Sequence, residues 1–258
     1  MNKRTAITAV ILITGFIFIS IAYLPHKYVV PILMYHCIDE RSNERKISVS
    51  PESFKRQMEF LKKRGYNVVS LEKVVALIRD KKNIPPKTIA ITFDDGFANN
   101  YISAYPALKK YGLPATIFMI VDNINREGYL TKKMLLEMSQ NNIDIGSHTL
   151  TQAYLPHLDE KNCAREMKDS KRKLEQILSK KVEFIAYPGG GCNEKIKALA
   201  KEIGYEGGVI TSPGMSYPNN DIYALKRVRI TRSSDNLAWF WFCASGYYTW
   251  FKEWRDED

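Results

Sequence analysis

The sequence predicts an α/β fold: a distorted parallel (β/α) barrel of about seven strands, in a single domain. Three observations lead there. Seven short apolar runs alternate with amphipathic segments, which is the pattern of repeated β-α units. No Gly/Ser-rich linker or low-complexity stretch divides them. Neither G-x-x-x-x-G-K-[ST] nor G-x-G-x-x-G follows a strand, which weakens the open, nucleotide-binding alternative.

The elements follow in order. "MNKR" precedes "TAITAVILITGFIFISIAYLP", an uncharged run of bilayer-crossing length, so residues 1–25 read as a membrane segment and 26–258 as the barrel domain. Lys3 and Arg4 keep the N-terminus in the cytoplasm and send the domain across, to the periplasmic or extracellular side. A retained anchor is preferred, although Ser20-Ile21-Ala22 resembles a cleavage site that would make the domain secreted. Strands are expected over 28–36, 88–95, 115–121, 143–150, 182–188, 207–212 and 225–231. Helices are expected over 50–65, 70–80, 100–112, 131–142, 159–181 and 193–204, several beginning after Ser, Thr or Asn or ending at Gly.

Composition narrows the function. With 258 residues, 45 % of them hydrophobic, the chain can bury a sizeable core and is not disordered. Its formal charge of +10 is spread over many helices rather than gathered in one arm, which argues against a nucleic-acid partner and leaves attraction to an anionic envelope polymer open. Cys37, Cys163, Cys192 and Cys243 lack close metal-ligand spacing; they are free buried thiols or disulfides of an exported domain. The tail "NLAWFWFCASGYYTWFKEW" is dense in aromatics. A helix closing the barrel, with some rings at the membrane interface, is preferred there over a sugar groove.

In parallel β/α barrels the chemistry sits where strands end. Four ends here carry unusual residues: His36, the Asp94-Asp95 pair, His148, and the turn "YPGGG" after "VEFIA". Two adjacent carboxylates cannot both enter a small pocket as anions unless something offsets their repulsion. A divalent cation would do so, one Asp holding the metal and the other taking a proton from water, with His148 as a further ligand. Gly96 lets the chain turn sharply beside them.

"TFDDG" at 92–96 followed by "SHT" at 147–149 resembles the polysaccharide deacetylases, the fourth family of carbohydrate esterases, with their NodB homology domain. The likeness covers roughly 35–230. It implies a distorted (β/α) barrel and a metal-dependent hydrolase acting on acetylated polysaccharide. By the same resemblance Asp94 is the general base, Asp95 the metal-binding aspartate and His148 the first metal histidine. The metal is zinc by preference, with cobalt or nickel as alternatives.

Three motifs depart from the family pattern. Gln152 stands where H-[ST]-x-x-H has its second metal histidine, and an amide oxygen is a weaker zinc ligand than imidazole; His157 is a more distant substitute. Ala186-Tyr187-Pro188-Gly189-Gly190 keeps the proline and glycine of R-x-P-x-G but lacks the arginine that orients the catalytic aspartate, which Arg227 or Arg229 would replace from a late strand. Gly189 matches the position whose N–H donates to the oxyanion. No late histidine follows a leucine, but "LMYH" resembles a branch with an N-terminal M-Y-H motif, so His36 is the candidate general acid.

The expected activity is removal of N-acetyl groups from an N-acetylglucosamine-containing polysaccharide outside the cytoplasm. Gln152 and the missing motif arginine favour a rival, a catalytically impaired carbohydrate-binding relative. An O-acetyl esterase is the other.

Overall fold

The computed structural model describes residues 28–40, 47–80, 84–211 and 220–255. The expected membrane segment over 1–25 lies outside them; among the described residues no helix is long and apolar enough to cross a membrane.

In chain order the elements are β1 (Ile32–Tyr35), β2 (Cys37–Ile38), β3 (Ser48–Val49), α1 (Pro51–Lys63), β4 (Asn67–Val68), α2 (Leu71–Arg79) and β5 (Thr88–Phe93). A π-helical turn, Asn100–Ala104, runs into α3 (Tyr105–Tyr111), followed by β6 (Ala115–Met119), α4 (Lys132–Ser139), β7 (Ile143–Ser147), α5 (Glu160–Leu178), β8 (Phe184–Ala186) and α6 (Glu194–Ile203). β9 (Gly207–Val209), β10 (Val228–Arg229), α7 (Leu237–Cys243) and α8 (Tyr248–Arg255) complete the described chain. Ser50, Ser70, Thr131, Asp159 and Asn193 each accept a backbone N–H from the first turn of the helix they precede, which is why α1, α2, α4, α5 and α6 start where they do. Gly112 and Gly204 stop α3 and α6 in the left-handed conformation.

The seven expected strands form one parallel, curled sheet in the order β10-β1-β5-β6-β7-β8-β9. Its two ends approach one another, because the segment leading into β10 bonds to β9 through Ile210 N–H to Leu225 O (3.0 Å) and Leu225 N–H to Gly208 O (2.9 Å). The expected run over 225–231 therefore contributes only two residues of regular ladder. β4 beside β5 and the small β2–β3 sheet were not anticipated; two-residue strands are too short to show a period.

Alternation along the strands separates two cores. Leu33, Tyr35, Ile89, Ile91, Phe93, Ile143, Ile145 and Ile185 face the helices. Ile32, Ala90, Phe118, Phe184, Ala186 and Val209 form a second cluster with Leu71, Val74 and Val75 of α2, which makes it the interior of the curled sheet. Two residues onward along this inner register lie the side chains of functional interest: His36 follows Ile32 and Met34, Asp94 follows Ala90 and Thr92, and Arg227 follows Leu225. One end of the interior is apolar and the other carries the charges.

The four cysteines are free thiols. In the aromatic tail Phe240 is buried against Phe60 of α1, while Trp239 and Trp241 are exposed. This places α7 on the outside of the barrel.

Candidate active site

Asp94 closes β5 on the inner register, with its N–H bonded to Tyr35 O at 3.0 Å. Arg227 lies wholly buried with its guanidinium 5.6 Å from the Phe118 ring centre and donates to both carboxylate oxygens of Asp94, Nη1 to Oδ1 and Nη2 to Oδ2, each at 2.6 Å. Its Nε donates to Ile210 O (2.8 Å), and Nη1 also reaches Thr92 Oγ1 (3.2 Å). The fork geometry of arginine thus fixes Asp94 in plane and orientation. Burial alone would raise the Asp94 pKa, but the charge and hydrogen bonds of Arg227 outweigh it and hold the carboxyl at about 2.

The next residue turns away from that register. Asp95 has φ 71° and Gly96 φ 75°, so the chain reverses within two residues. A Cβ on Gly96 would fall 2.1 Å from Met119 Sδ, so glycine is required there for both its dihedral and its size. Asp95 Oδ1 comes to 3.5 Å from His148 Nε2. Burial, opposed by His148 and reinforced by the negative charge of Asp94, pushes the Asp95 carboxyl up to about 6.

His148 follows β7, its N–H bonded to Met119 O at 2.9 Å. Its Nδ1 lies 2.8 Å from Ala186 O. A carbonyl only accepts, so Nδ1 carries the hydrogen, and the neutral form of the ring presents its Nε2 lone pair towards Asp95. The loop beyond it is strained and well fastened: Thr149 and Gln152 have φ of 62° and 66°, and buried Glu166 of α5 accepts from Leu150 N–H (3.0 Å), Thr151 N–H (2.9 Å) and Thr151 Oγ1 (2.9 Å). Gln152 Nε2 donates to Asp95 Oδ1 at 2.7 Å. His157 instead packs edge-on against Tyr154, with ring centres 4.7 Å apart.

His36 sits where β1 ends. The Asn100 side chain from the π-helical turn holds its carbonyl oxygen at 2.7 Å. Its Nδ1 is buried with no hydrogen-bond partner among the described residues. Burial is the main cause of a pKa lowered to about 4; Asp94 opposes it, while Arg227, His148 and Arg229 add to it. Arg229 shares the inner register of Arg227 but lies two residues nearer the rim, is exposed, and takes no part in the Asp94 pair. Gly189 lies in the left-handed region at φ 62°, inside a turn closed by Gly190 N–H to Tyr187 O and Gly191 N–H to Pro188 O, bonds that do not use its own N–H.

The structure thus joins Asp94 to Arg227 and Asp95 to His148 and Gln152, and puts His36 within electrostatic reach of Asp94, His148 and both arginines. Two contributors escaped sequence reasoning. Glu166 reads in sequence as one more charge on a solvated helix face. Tyr154, 45 % exposed, stands against the glycine turn, where a Cβ on Gly191 would lie 2.5 Å from its ring; the run of three glycines was its only trace.

Among the described residues no group of three His, Cys, Asp or Glu could hold a metal. Asp95 and His148 nevertheless offer two donors spaced for one divalent ion. An oxygen and an imidazole nitrogen about 2.0–2.2 Å from a common tetrahedral ion would be separated by roughly the spacing seen between Asp95 Oδ1 and His148 Nε2. The Gln152 amide is in the same cluster, and its oxygen would face an ion if the amide turned over.

The polysaccharide deacetylase family model matches residues 81–208. Over 201 residues, 78 % of this chain and 71 % of the relative, the sequence is 38 % identical to the polysaccharide deacetylase-family protein YxkH of Bacillus subtilis. It is 30 % identical over 202 residues, 72 % of this chain and 69 % of the relative, to the poly-β-1,6-N-acetyl-D-glucosamine N-deacetylase of Staphylococcus epidermidis. Among solved structures, the Streptococcus pyogenes deacetylase PplD in complex with acetate superimposes with a TM-score of 0.74 at 32 % identity, covering 81 % of this chain and 97 % of that one. BC0361, a polysaccharide deacetylase from Bacillus cereus, does so with a TM-score of 0.73 at 35 % identity, covering 84 % and 69 %. On its barrel, its "TFDDG" strand end and these relatives, the chain belongs to the polysaccharide deacetylase family, hydrolases acting on carbon–nitrogen bonds.

Proposed function

We propose that this protein removes N-acetyl groups from an N-acetylglucosamine-containing polysaccharide, in a metal-dependent hydrolysis outside the cytoplasm. The observation that carries the proposal is the Arg227–Asp94 pair, which keeps an oriented, ionised carboxylate beside a second carboxylate and an imidazole. The Staphylococcus epidermidis relative, named for such a substrate, supports the glycan class. The apolar run over 5–25 behind Lys3 and Arg4 supports membrane attachment with the barrel outside.

Asp95 and His148 would hold the divalent ion, zinc, cobalt or nickel. An ion held there would supply Lewis-acid polarisation of the acetyl carbonyl and a more acidic water, which a base as weak as Asp94 would need. Asp94 takes one proton as the water oxygen bonds to the acetyl carbon. Gly189 N–H donates to the oxyanion. As the C–N bond breaks, His36 relays the proton to the departing nitrogen. Arg227 holds the Asp94 carboxyl low and burial holds the His36 ring low, so both are weak bases beside the departing amine. Tyr154 offers a sugar ring an exposed aromatic face beside Gly189.

The test is acetate release from N-acetylglucosamine oligomers with zinc, cobalt or nickel supplied and with chelator present. Release that needs the metal supports the proposal. A folded protein that binds the glycan and releases nothing with any metal would instead favour a binding relative, the alternative suggested by Gln152 on Asp95.

A further inference from the structure

The oxygen of Asp95 that faces His148 is already occupied. Oδ1 lies 3.5 Å from His148 Nε2, and the same Oδ1 accepts the Gln152 Nε2 hydrogen bond at 2.7 Å. With Nδ1–H committed to Ala186 O, the imidazole nitrogen facing Oδ1 is, in the neutral ring that binds metal, an acceptor as well. Two buried acceptors pointed at each other call for positive charge or a donor, and Asp95 Oδ1 is met by an amide N–H.

The placement of that amide is built in. Gln152 is held at φ 66°, its N–H bonds to Thr149 Oγ1 at 3.1 Å, and the preceding residues are tied to Glu166. We propose that Gln152 is an internal substitute for the cation. Its N–H satisfies Asp95 without metal, and competes with an incoming divalent ion for Oδ1. The site is therefore stable without metal and holds metal weakly and exchangeably. This rests on Asp95 and His148 being the ion's ligands.

The probe is zinc alone, titrated into the full-length chain against a chromophoric chelator, with zinc-free thermal melts alongside. A hydrogen bond to a buried charged group opposes the ion, so Gln152→Ala should bind zinc roughly ten-fold or more tighter than wild type while melting lower without zinc. Gln152→His, which removes the donor and adds a ligand, should tighten binding further. If Gln152→Ala binds zinc no tighter, or melts unchanged without it, the substitute role is overturned; markedly weaker binding would make the amide a ligand instead. Should Gln152→Ala not fold, Gln152→Leu gives the same comparison. Asp95→Asn separates the two levels: zinc affinity that does not fall in this variant overturns the ligand assignment itself, whatever Gln152 does.

Discussion

Arg227 and Asp94, 133 residues apart in sequence, meet in a two-pronged ion pair with both contacts at 2.6 Å, and neither side chain is appreciably exposed. Removing one partner of a buried pair strands the other charge, at a cost of about 3–5 kcal/mol. Arg227→Ala should therefore unfold at much lower denaturant. Arg227→Lys keeps the charge but not the fork; it should fold, with kcat reduced roughly 100-fold or more and KM little changed. Equal kcat in Arg227→Lys would show that orientation of Asp94 is unimportant.

His36 and Asp95 give opposite pH slopes in the metal-free protein. The His36 pKa of about 4 lies below its unfolded value, so its contribution is present above about 6.5 and lost as pH falls towards 4. The Asp95 pKa of about 6 lies above its unfolded value, so its contribution is present below about 3.9 and lost as pH rises through 6. Urea midpoints between pH 4 and 6.5 should fall with pH in His36→Phe and rise with pH in Asp95→Asn. Parallel profiles for the two variants would refute both assignments.

Glu166 fastens the loop that bears Gln152 without touching the reacting groups. Glu166→Ala takes the side-chain acceptor away from two part-buried backbone N–H groups. Hydrogen exchange at Leu150 and Thr151 should accelerate and, because the ties that place Gln152 on Asp95 are loosened, zinc affinity should rise, with Glu166→Gln partly reversing both. Unchanged exchange at those two amides would count against the role.

Tyr154→Ala should raise KM several-fold for N-acetylglucosamine oligomers and leave hydrolysis of a small acetyl ester unaltered. Gly191→Ala should mimic it, since the added Cβ would displace the ring. Equal losses on both substrates would place Tyr154 in the chemistry or the fold rather than in sugar recognition.

The barrel was legible because its seven main strands lie in strand-like runs and the helices between them carry start or stop signals. His36, Asp94, Asp95 and His148 were legible because they stand where those runs end. The choice between Arg227 and Arg229 was not: they share a register, and only depth in the barrel separates a buried partner of Asp94 from an exposed rim residue. Gln152 was visible as a departure from the family motif, yet its bond to Asp95 depends on a left-handed backbone that no local pattern announces. Glu166 acts across fifteen or sixteen residues on backbone amides, a contact that leaves no periodic mark.

The most direct measurement compares acetate released from N-acetylglucosamine oligomers by the zinc-loaded full-length protein and by its Asp94→Asn variant. The proposed mechanism predicts release by the wild type that falls at least 100-fold in the variant, with zinc affinity preserved. Release that persists undiminished in Asp94→Asn would contradict it.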